Sequence, residues 1–471
     1  MTLFLFNTET KNKEKVVPHH GDTIRMYTCG PTIYNFAHIG NFRTYIFEDL
    51  LRRSIQFFGF KINQAMNITD IEDKIIAGAI KKGIPLKEFT EPYRIAFFED
   101  LKRLNIQKVE HYPAATAYIP QMIAMIEDLV EKGIAYKSPN GSIYYSIQKF
   151  ATYGRLSHLC MDDLKINASG DNTADEYDKE NLSDFVLWKA YDPCRDGQIY
   201  WESPFGDGRP GWHIECSAMA MNILGETIDI HCGGVDNMFP HHENEIAQSE
   251  GFSGKRFVYH WVHVEHLLVD HKKMSKSLGN FYTLRDLLNK GYTGNEVRYL
   301  LLSTHYRSQL NFTFASLTSA RSSLQRIEDL ILRLRSIEGT SVKEAHVFDH
   351  LQKAECLFKE ALSDDINISE ALAVLFDLIR ELNSLCDQGK VGKQEADAAL
   401  NLLEKWDTVL GVLPLHEKEK IPDALLECLR KREEARKAKN FRVSDQMRDE
   451  ILSCGYLIED TPTGARLKKK P

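Results

Sequence analysis

Ile24-Arg-Met-Tyr-Thr28 runs directly into Cys29-Gly-Pro-Thr-Ile-Tyr-Asn-Phe-Ala-His38-Ile-Gly40-Asn41, and the reading of this junction decides the fold. The first five residues predict a buried strand, which Cys29-Gly30-Pro31 stops. From Thr44 to Phe58 apolar residues recur at helical spacing (Ile46, Leu50, Ile55, Phe58) until Gly59, and Ile62–Ile68 predicts the next strand. Strand, helix, strand in that order is a right-handed crossover, the unit of a parallel α/β sheet. The loop leaving the first strand is where such sheets bind ligands, because helix amides there point at anionic groups. Gly40 lets a ligand come close to the backbone, and His38 offers a donor to a phosphate oxygen; a polar loop with a capping histidine is the plainer alternative.

The whole chain sets the bounds around this junction. Its 471 residues, 43% hydrophobic and 27% charged, leave room for several domains and exclude disorder or a fibrous repeat. No run approaches the ~18 apolar residues of a membrane span. The opening Met1–Phe6 stretch is short and lacks a cationic lead-in, so no signal peptide is expected and the nine cysteines read as thiols of a cytoplasmic protein. Net charge is −8, which argues against a nucleic-acid partner for the chain as a whole. The distribution says otherwise: from Arg430 to Lys470 twelve Lys/Arg stand against seven Asp/Glu, leaving 47 against 60 elsewhere. A basic end on an acidic body suits contact with a polyanion.

From Gly141 the texture changes. Short β-like pieces (Ser142–Ser146, Phe185–Lys189, Gln198–Trp201) flank a polar, acidic stretch, Asn167–Asn181, expected to be a mobile loop within an insertion. Trp212–Leu224 and His242–Ser249 predict helices and Val258–Val264 a strand. After Ser316 the chain reads as a helix bundle, with Leu324, Ile327, Ile331 and Leu334 on one face and Leu372, Leu375, Ile379 and Leu382 on another. Asp423–Asn440 predicts a charged helix with a Glu433–Lys437 pair, followed by a helix to Cys454, a Gly455 cap and two strands around Pro462-Thr463-Gly464.

Two pattern matches carry nothing. Gly206-Asp-Gly208-Arg-Pro-Gly211 fits the dinucleotide pattern but ends no apolar strand and has Pro210 inside it. His241-His242-Glu243-Asn244-Glu245 looks like a zinc-protease helix, yet Ile246 stands where its second histidine should be. Lys273-Met-Ser-Lys276-Ser277, followed by Leu278-Gly279-Asn280, is different: two lysines three apart make a cationic loop able to close over a polyphosphate.

His38-Ile-Gly40-Asn41 after the first strand and Lys273–Ser277 some 235 residues later resemble the paired signatures of class I aminoacyl-tRNA synthetases. Asn67-Ile-Thr-Asp-Ile-Glu-Asp-Lys74, Gly211-Trp-His-Ile-Glu-Cys216-Ser-Ala-Met219 and Phe239-Pro-His-His-Glu-Asn-Glu-Ile-Ala-Gln-Ser249 narrow the resemblance to the bacterial cysteinyl-tRNA synthetases, and it covers essentially the whole chain. It implies an α/β class I synthetase fold: a Rossmann-like parallel sheet with a connective insertion, then an α-helical bundle and a small α+β C-terminal domain. The expected divisions are 1–120 and 212–265 for the two halves of the catalytic domain, 121–211 for the insertion and 266–318 for the loop and stem-contact region. Residues 319–420 would form the tRNA-binding bundle and 421–471 the anticodon-recognition domain.

The same resemblance assigns residues. His38, Lys273 and Lys276 would be catalytic. ATP would meet Gly30, Pro31, Thr32, His38, Gly40, Asn41, Lys273, Met274, Ser275, Lys276 and Ser277, with Mg²⁺ accompanying it. Cysteine would meet Thr69 and Trp212, and one Zn²⁺ per chain would be held by Cys29, Cys216, His241 and Glu245, the last two at i, i+4 on one helix face with Pro240 near the helix start. Two sulfurs, an imidazole and a carboxylate favour zinc over magnesium or calcium. Zinc also answers a selectivity problem. Cysteine and serine differ by one atom, an apolar pocket separates near-isosteres by only ~1–3 kcal/mol, and a ~10⁴-fold preference needs about 5.5 kcal/mol. A zinc–thiolate bond supplies that. The implied partners are L-cysteine, ATP and cysteine tRNA, with no membrane and a monomer as the family expectation.

Three positions depart from the family pattern: Asn41 replaces the last histidine of the signature, Cys232 stands where glycine is usual, and Leu467 where tryptophan is. Two other functions share most of these motifs: a ligase passing the adenylate's cysteine to an amino sugar, and a zinc-dependent tRNA-binding protein without catalysis. The basic end opposes the first and the intact Lys273–Ser277 loop the second.

Overall fold

The computed structural model describes residues 2–159, 184–275, 278–339, 346–415, 422–461 and 464–469. The expected loop at Asn167–Asn181, and Lys276 and Ser277 of the cationic loop, lie outside the described residues. The chain divides into two compact units, Met1–Leu413 and Pro414–Pro471.

The centre of the first unit is a four-stranded parallel sheet built from β1 (Thr23–Thr28), β2 (Lys61–Met66), β3 (Ile228–Gly234) and β4 (Val258–Val264). Its spatial order is β4-β3-β1-β2, all parallel. β1 and β3 are neighbours from which the chain departs in opposite directions, the switch point at which open α/β sheets form their crevice. The crossover from β1 to β2 is α1 (Ile39–Phe57). It begins five residues before the apolar periodicity does, because His38 and Asn41 close a capping box: Asn41 N donates to His38 Nδ1 at 3.2 Å, and His38 N to Asn41 Oδ1 at 3.1 Å.

The outer edge of β4 is covered. The hairpin Phe4–Asn7/Asn12–Lys15 lies beside it, and the Asn7 side chain pairs with it as a strand would, accepting from Trp261 N at 3.1 Å and donating to Tyr259 O at 2.8 Å. Thr8 N continues the ladder to Trp261 O at 2.9 Å.

α2 (Trp212–Leu224), α3 (Glu243–Ser253) and β4 fall close to their expected spans. The segment entering α3 does not: Met238–His242 is a π-turn with Phe239 in extended geometry, so Pro240 is not the first turn of a regular helix. The insertion forms an antiparallel sheet ordered Ala135–Lys137, Ile143–Tyr145, Phe185–Ala190, Gly208–Pro210. Its fourth strand is the glycine-rich stretch dismissed above, whereas the expected strand Gln198–Trp201 reduces to a single bridge, Trp201 to Gly208. Lys189 and Arg209, from two strands of this sheet, both pair with Asp73 of the helix Asp73–Lys82.

α4 (Gly294–Leu302) and the bundle α5 (Phe314–Arg335), α6 (Val347–Ser363), α7 (Ile368–Asp387) and α8 (Lys393–Leu410) complete the first unit. Leu372, Leu375, Ile379 and Leu382 are buried as their spacing requires, and so are Ile327, Ile331 and Leu334; Leu324 is only half-buried. α1 is bound to its surroundings by charge. Asp49 pairs with Arg53 at 2.7 Å and with Arg298 of α4 at 2.6 Å, and the two guanidiniums donate to the Thr408 and Leu410 carbonyls of α8. Arg43, also buried, has carbonyl partners at Leu301, Thr304 and His305.

The second unit packs α9 (Asp423–Lys437) and α10 (Phe441–Ser453) with the hairpin β5 (Tyr456–Thr461) and β6 (Gly464–Lys469). Its core is Leu425, Ile451, Tyr456 and Leu467. The unexpected leucine is therefore a core residue of this unit. Glu433 pairs with Arg432 at 2.9 Å and Arg436 at 4.0 Å rather than in the expected geometry with Lys437.

Candidate active site and metal centre

The carboxyl ends of β1 and β3 gather the predicted residues. Cys29 directly follows β1, its N–H donating to Cys232 O at 3.1 Å. Cys216 comes from α2, His241 from the π-turn and Glu245 from the first turn of α3. One ligand atom from each of the four lies within 4.8 Å of the others, and all four residues are buried. His241 Nε2 is 3.0 Å from Glu245 Oε1, so the π-turn still delivers the pair that helical i, i+4 spacing predicts.

The electrostatics of this cluster call for a cation. The Cys29 thiol beside it lowers the Cys216 thiol to about 6, while Cys29 itself is pushed well above the usual thiol range by Cys216. Burial alone would lower His241, but Cys216 and Glu245 outweigh it and raise the imidazole to about 10. Burial would likewise raise Glu245, yet His231 and His241 hold it at about 2. Two acidic donors thus lie against one imidazole in a buried cluster, the arrangement a divalent cation replaces directly. Glu245 Oε1 is buried without a well-formed hydrogen bond among the described residues, leaving lone pairs for a ligand. The donor set therefore fits zinc.

Sequence reasoning missed part of the cluster. His231 and His242 form, with Cys29 and Glu245, a second set whose ligand atoms lie within 4.8 Å of one another. His231 Nε2 is 2.9 Å from Glu245 Oε2, His242 Nε2 is 3.3 Å from Cys29 Sγ, and His213 Nδ1 is 2.9 Å from His241 Nδ1. Burial drives His242 well below the usual imidazole range and His263, 2.8 Å beyond it, to about 3. The available signal was the crowding of histidines at 231, 241, 242 and 263.

Thr69 and Trp212 flank the cluster. Thr69 is buried, its hydroxyl 3.0 Å from Asn67 Nδ2 and 3.3 Å from Glu215 Oε2, and its backbone bonds to Pro31 O and Ile33 N. Trp212 opens α2 with its ring 4.3 Å from that of His241. Gly30 N donates to Asn67 Oδ1 at 2.7 Å, and a Cβ on Gly30 would lie 1.8 Å from Asn67 O, so only glycine fits there. Thr32 bridges to Thr69.

The two signature loops meet. Ile39 N donates to Tyr282 O at 2.9 Å, His38 bridges to Thr283, and the Met274 methyl lies 3.1 Å from where a Cβ on Gly40 would be. Gly40 thus admits the methionine of the cationic loop. Asn280 braces that loop, accepting from Ser275 N at 2.8 Å and donating to Lys273 O at 3.2 Å, while Lys273 is exposed on the short strand Lys272–Lys273. Asn41 spends its side-chain oxygen on the helix cap. Cys232 is fully buried in the sheet, its thiol raised well above the usual range by burial.

The family model "tRNA synthetases class I (C) catalytic domain" matches residues 15–322 and the "DALR domain" model residues 357–414. Among solved structures, the Mycobacterium tuberculosis methionyl-tRNA synthetase in complex with methionyl-adenylate superposes with a TM-score of 0.59 at 12% identity, over 83% of this chain and 89% of that one. A putative arginyl-tRNA synthetase from Campylobacter jejuni does so at 0.57 and 14%, over 85% and 94%. The fold is that of the class I aminoacyl-tRNA synthetases. Full-length relatives narrow it: the cysteine–tRNA ligase of Protochlamydia amoebophila (strain UWE25) is 62% identical over 99% of this chain and 98% of its own length, and that of Chlamydia pneumoniae 55% over the same shares. The chain belongs to the cysteine–tRNA ligase family.

Proposed function

We propose that this chain activates L-cysteine with ATP and transfers it to the 3′ end of cysteine tRNA. The observation that carries the reading is the buried Cys29–Cys216–His241–Glu245 set at the switch point of the sheet, in a chain related over its full length to cysteine–tRNA ligases. A carboxylate oxygen of cysteine bonds to the α-phosphorus of ATP, the bond to the bridging oxygen breaks, and pyrophosphate leaves. The terminal ribose hydroxyl of the tRNA then bonds to the carbonyl carbon and displaces AMP. The first nucleophile is already ionised at neutral pH, so positioning and charge stabilisation suffice for that step.

The helix cap prepares His38 for its part. Because Nδ1 accepts from Asn41 N, a neutral ring carries its proton on Nε2, the tautomer that donates to a phosphate oxygen. Gly30, Pro31, Thr32, Gly40 and Asn41 would form the floor under ATP, and Met274, Ser275 and Ser277 would close over it. Lys273 and Lys276 would stabilise the departing pyrophosphate, with Mg²⁺ accompanying the nucleotide. Thr69 and Trp212 would line the cysteine pocket. Cys29, Cys216, His241 and Glu245 would hold zinc, which when bound supplies a Lewis acid that takes a thiolate sulfur and discriminates against a hydroxyl. The second unit, with exposed Arg430, Lys431, Arg436, Lys437, Lys439, Arg442 and Arg448, would contact the tRNA. We place the protein in the cytoplasm as a monomer, with no helix long and apolar enough to cross a membrane among the described residues.

ATP–pyrophosphate exchange by the purified protein, run with each amino acid in turn, tests the reading. Cysteine alone should support exchange, and the protein should charge tRNA. Exchange with serine at a comparable rate would remove the metal-based selection, and transfer to an amino sugar but not to tRNA would favour the alternative ligase.

A further inference from the structure

A line of side chains leads from the metal-binding cluster to the N-terminal hairpin. His242 Nε2 is 3.3 Å from Cys29 Sγ, His242 Nδ1 is 2.8 Å from His263 Nε2, and His263 Nδ1 is 2.8 Å from Thr8 Oγ1. Both histidines are buried, and Trp261 lies against them with ring centroids 5.1 and 6.4 Å away. Donor and acceptor accounting fixes the direction of the line. A thiolate holding a metal only accepts, so His242 Nε2 carries the proton and its Nδ1 must accept. The donor to Nδ1 is then His263 Nε2–H, which leaves His263 Nδ1 as an acceptor that needs a proton from outside the pair. Thr8 is where that proton resides, its hydroxyl held in place because Thr8 N is tied to Trp261 O.

We infer that Thr8, through His263 and His242, is a positioning residue for the metal-bearing Cys29 thiolate. The inference rests on the zinc reading given above. Thr8 comes from a hairpin outside every signature motif, yet it terminates a line of hydrogen bonds that ends on the Cys29 sulfur. Without its hydroxyl, His263 Nδ1 loses its donor. Nothing then fixes the tautomer of the two rings, and the alternative arrangement turns a bare nitrogen of His242 toward the thiolate. Outer-shell partners of this kind typically change metal affinity 10–100-fold.

The test uses the full-length protein loaded with zinc or cobalt(II). Thr8→Val should weaken zinc by roughly 10–100-fold in chelator competition and shift the thiolate-to-cobalt charge-transfer band. Thr8→Ser, which keeps the hydroxyl, should restore both. His263→Leu, which cuts the line from another element, should reproduce the loss and serves if Thr8→Val does not fold. Wild-type affinity and spectrum in Thr8→Val and His263→Leu would overturn the inference, as would a Thr8→Ser variant as impaired as Thr8→Val. A wild-type protein that takes up no metal would instead overturn the zinc reading itself, and this inference with it.

Discussion

Replacing Asp49 with alanine should expose how strongly α1 is bound to the helices around it. The carboxylate is 1% exposed and sits between Arg53, 7% exposed, and Arg298, fully buried, at 2.7 and 2.6 Å. Its other oxygen accepts from Gln107 N at 2.8 Å. Asp49→Ala leaves two desolvated guanidiniums facing each other without their shared anion. Losing one partner of a buried pair costs ~3–5 kcal/mol, so we take ~4 kcal/mol. The 413 residues of the first unit, at ~2.1 cal/mol/K each, give an unfolding entropy of ~0.9 kcal/mol/K, and the melting temperature should fall by ~4–5 °C. Asp49→Asn keeps an acceptor for Gln107 and should lose less. Differential scanning calorimetry of the first unit's transition reads this directly. A fall below ~1 °C for Asp49→Ala would show that the cost of desolvating the three charges cancels their attraction, and the reasoning would fail.

Metal analysis of the purified protein should find about one equivalent of zinc, and Cys216→Ser should lose most of it; full retention would remove Cys216 from the donor set. A chain ending at Leu413, the boundary of the first unit, should keep cysteine-dependent exchange but charge tRNA poorly, with binding that falls less steeply as salt rises. Charging equal to that of the full chain would leave the basic segment without a role. Asp100, raised to about 6 by burial against the pull of Arg285 and Arg103, favours its neutral form when folded. Its contribution is therefore greatest below about pH 4 and is lost as pH rises through 6, so Asp100→Asn should gain melting temperature relative to wild type over that window. A difference that stays flat from pH 4 to 7 would contradict this.

Much of the fold was legible because its signals are local. β1, α2 and β4 hold apolar residues at regular spacing between clear stops, and their spans were read nearly to the residue. Periodicity alone placed the start of α1 five residues late; the capping histidine weighed as the plainer reading of His38 is what sets it, although histidine is not among the usual capping residues. His241 and Glu245 were paired for a regular helix and are joined by a π-turn, which no spacing rule announces. Cys29 and Cys216 stand too far apart for spacing to nominate them, so only the family resemblance could. His231, His242 and His263 went unassigned for the same reason: they come from a strand, a turn and another strand, and their shared environment exists only after the sheet forms.

The origin of the four donors has a consequence for how the molecule matures. Cys29 precedes the insertion, and Cys216, His241 and Glu245 follow it. No contiguous piece of the catalytic domain short of that whole span can therefore carry the proposed site, and during synthesis an N-terminal fragment presents only one of its four donors. On the zinc reading proposed above, metal capture would be a late event, possible only once the two halves of a split sheet have found each other across the inserted residues. Followed in refolding, it would act as a clock for that union, timing tertiary assembly where circular dichroism would time only the helices.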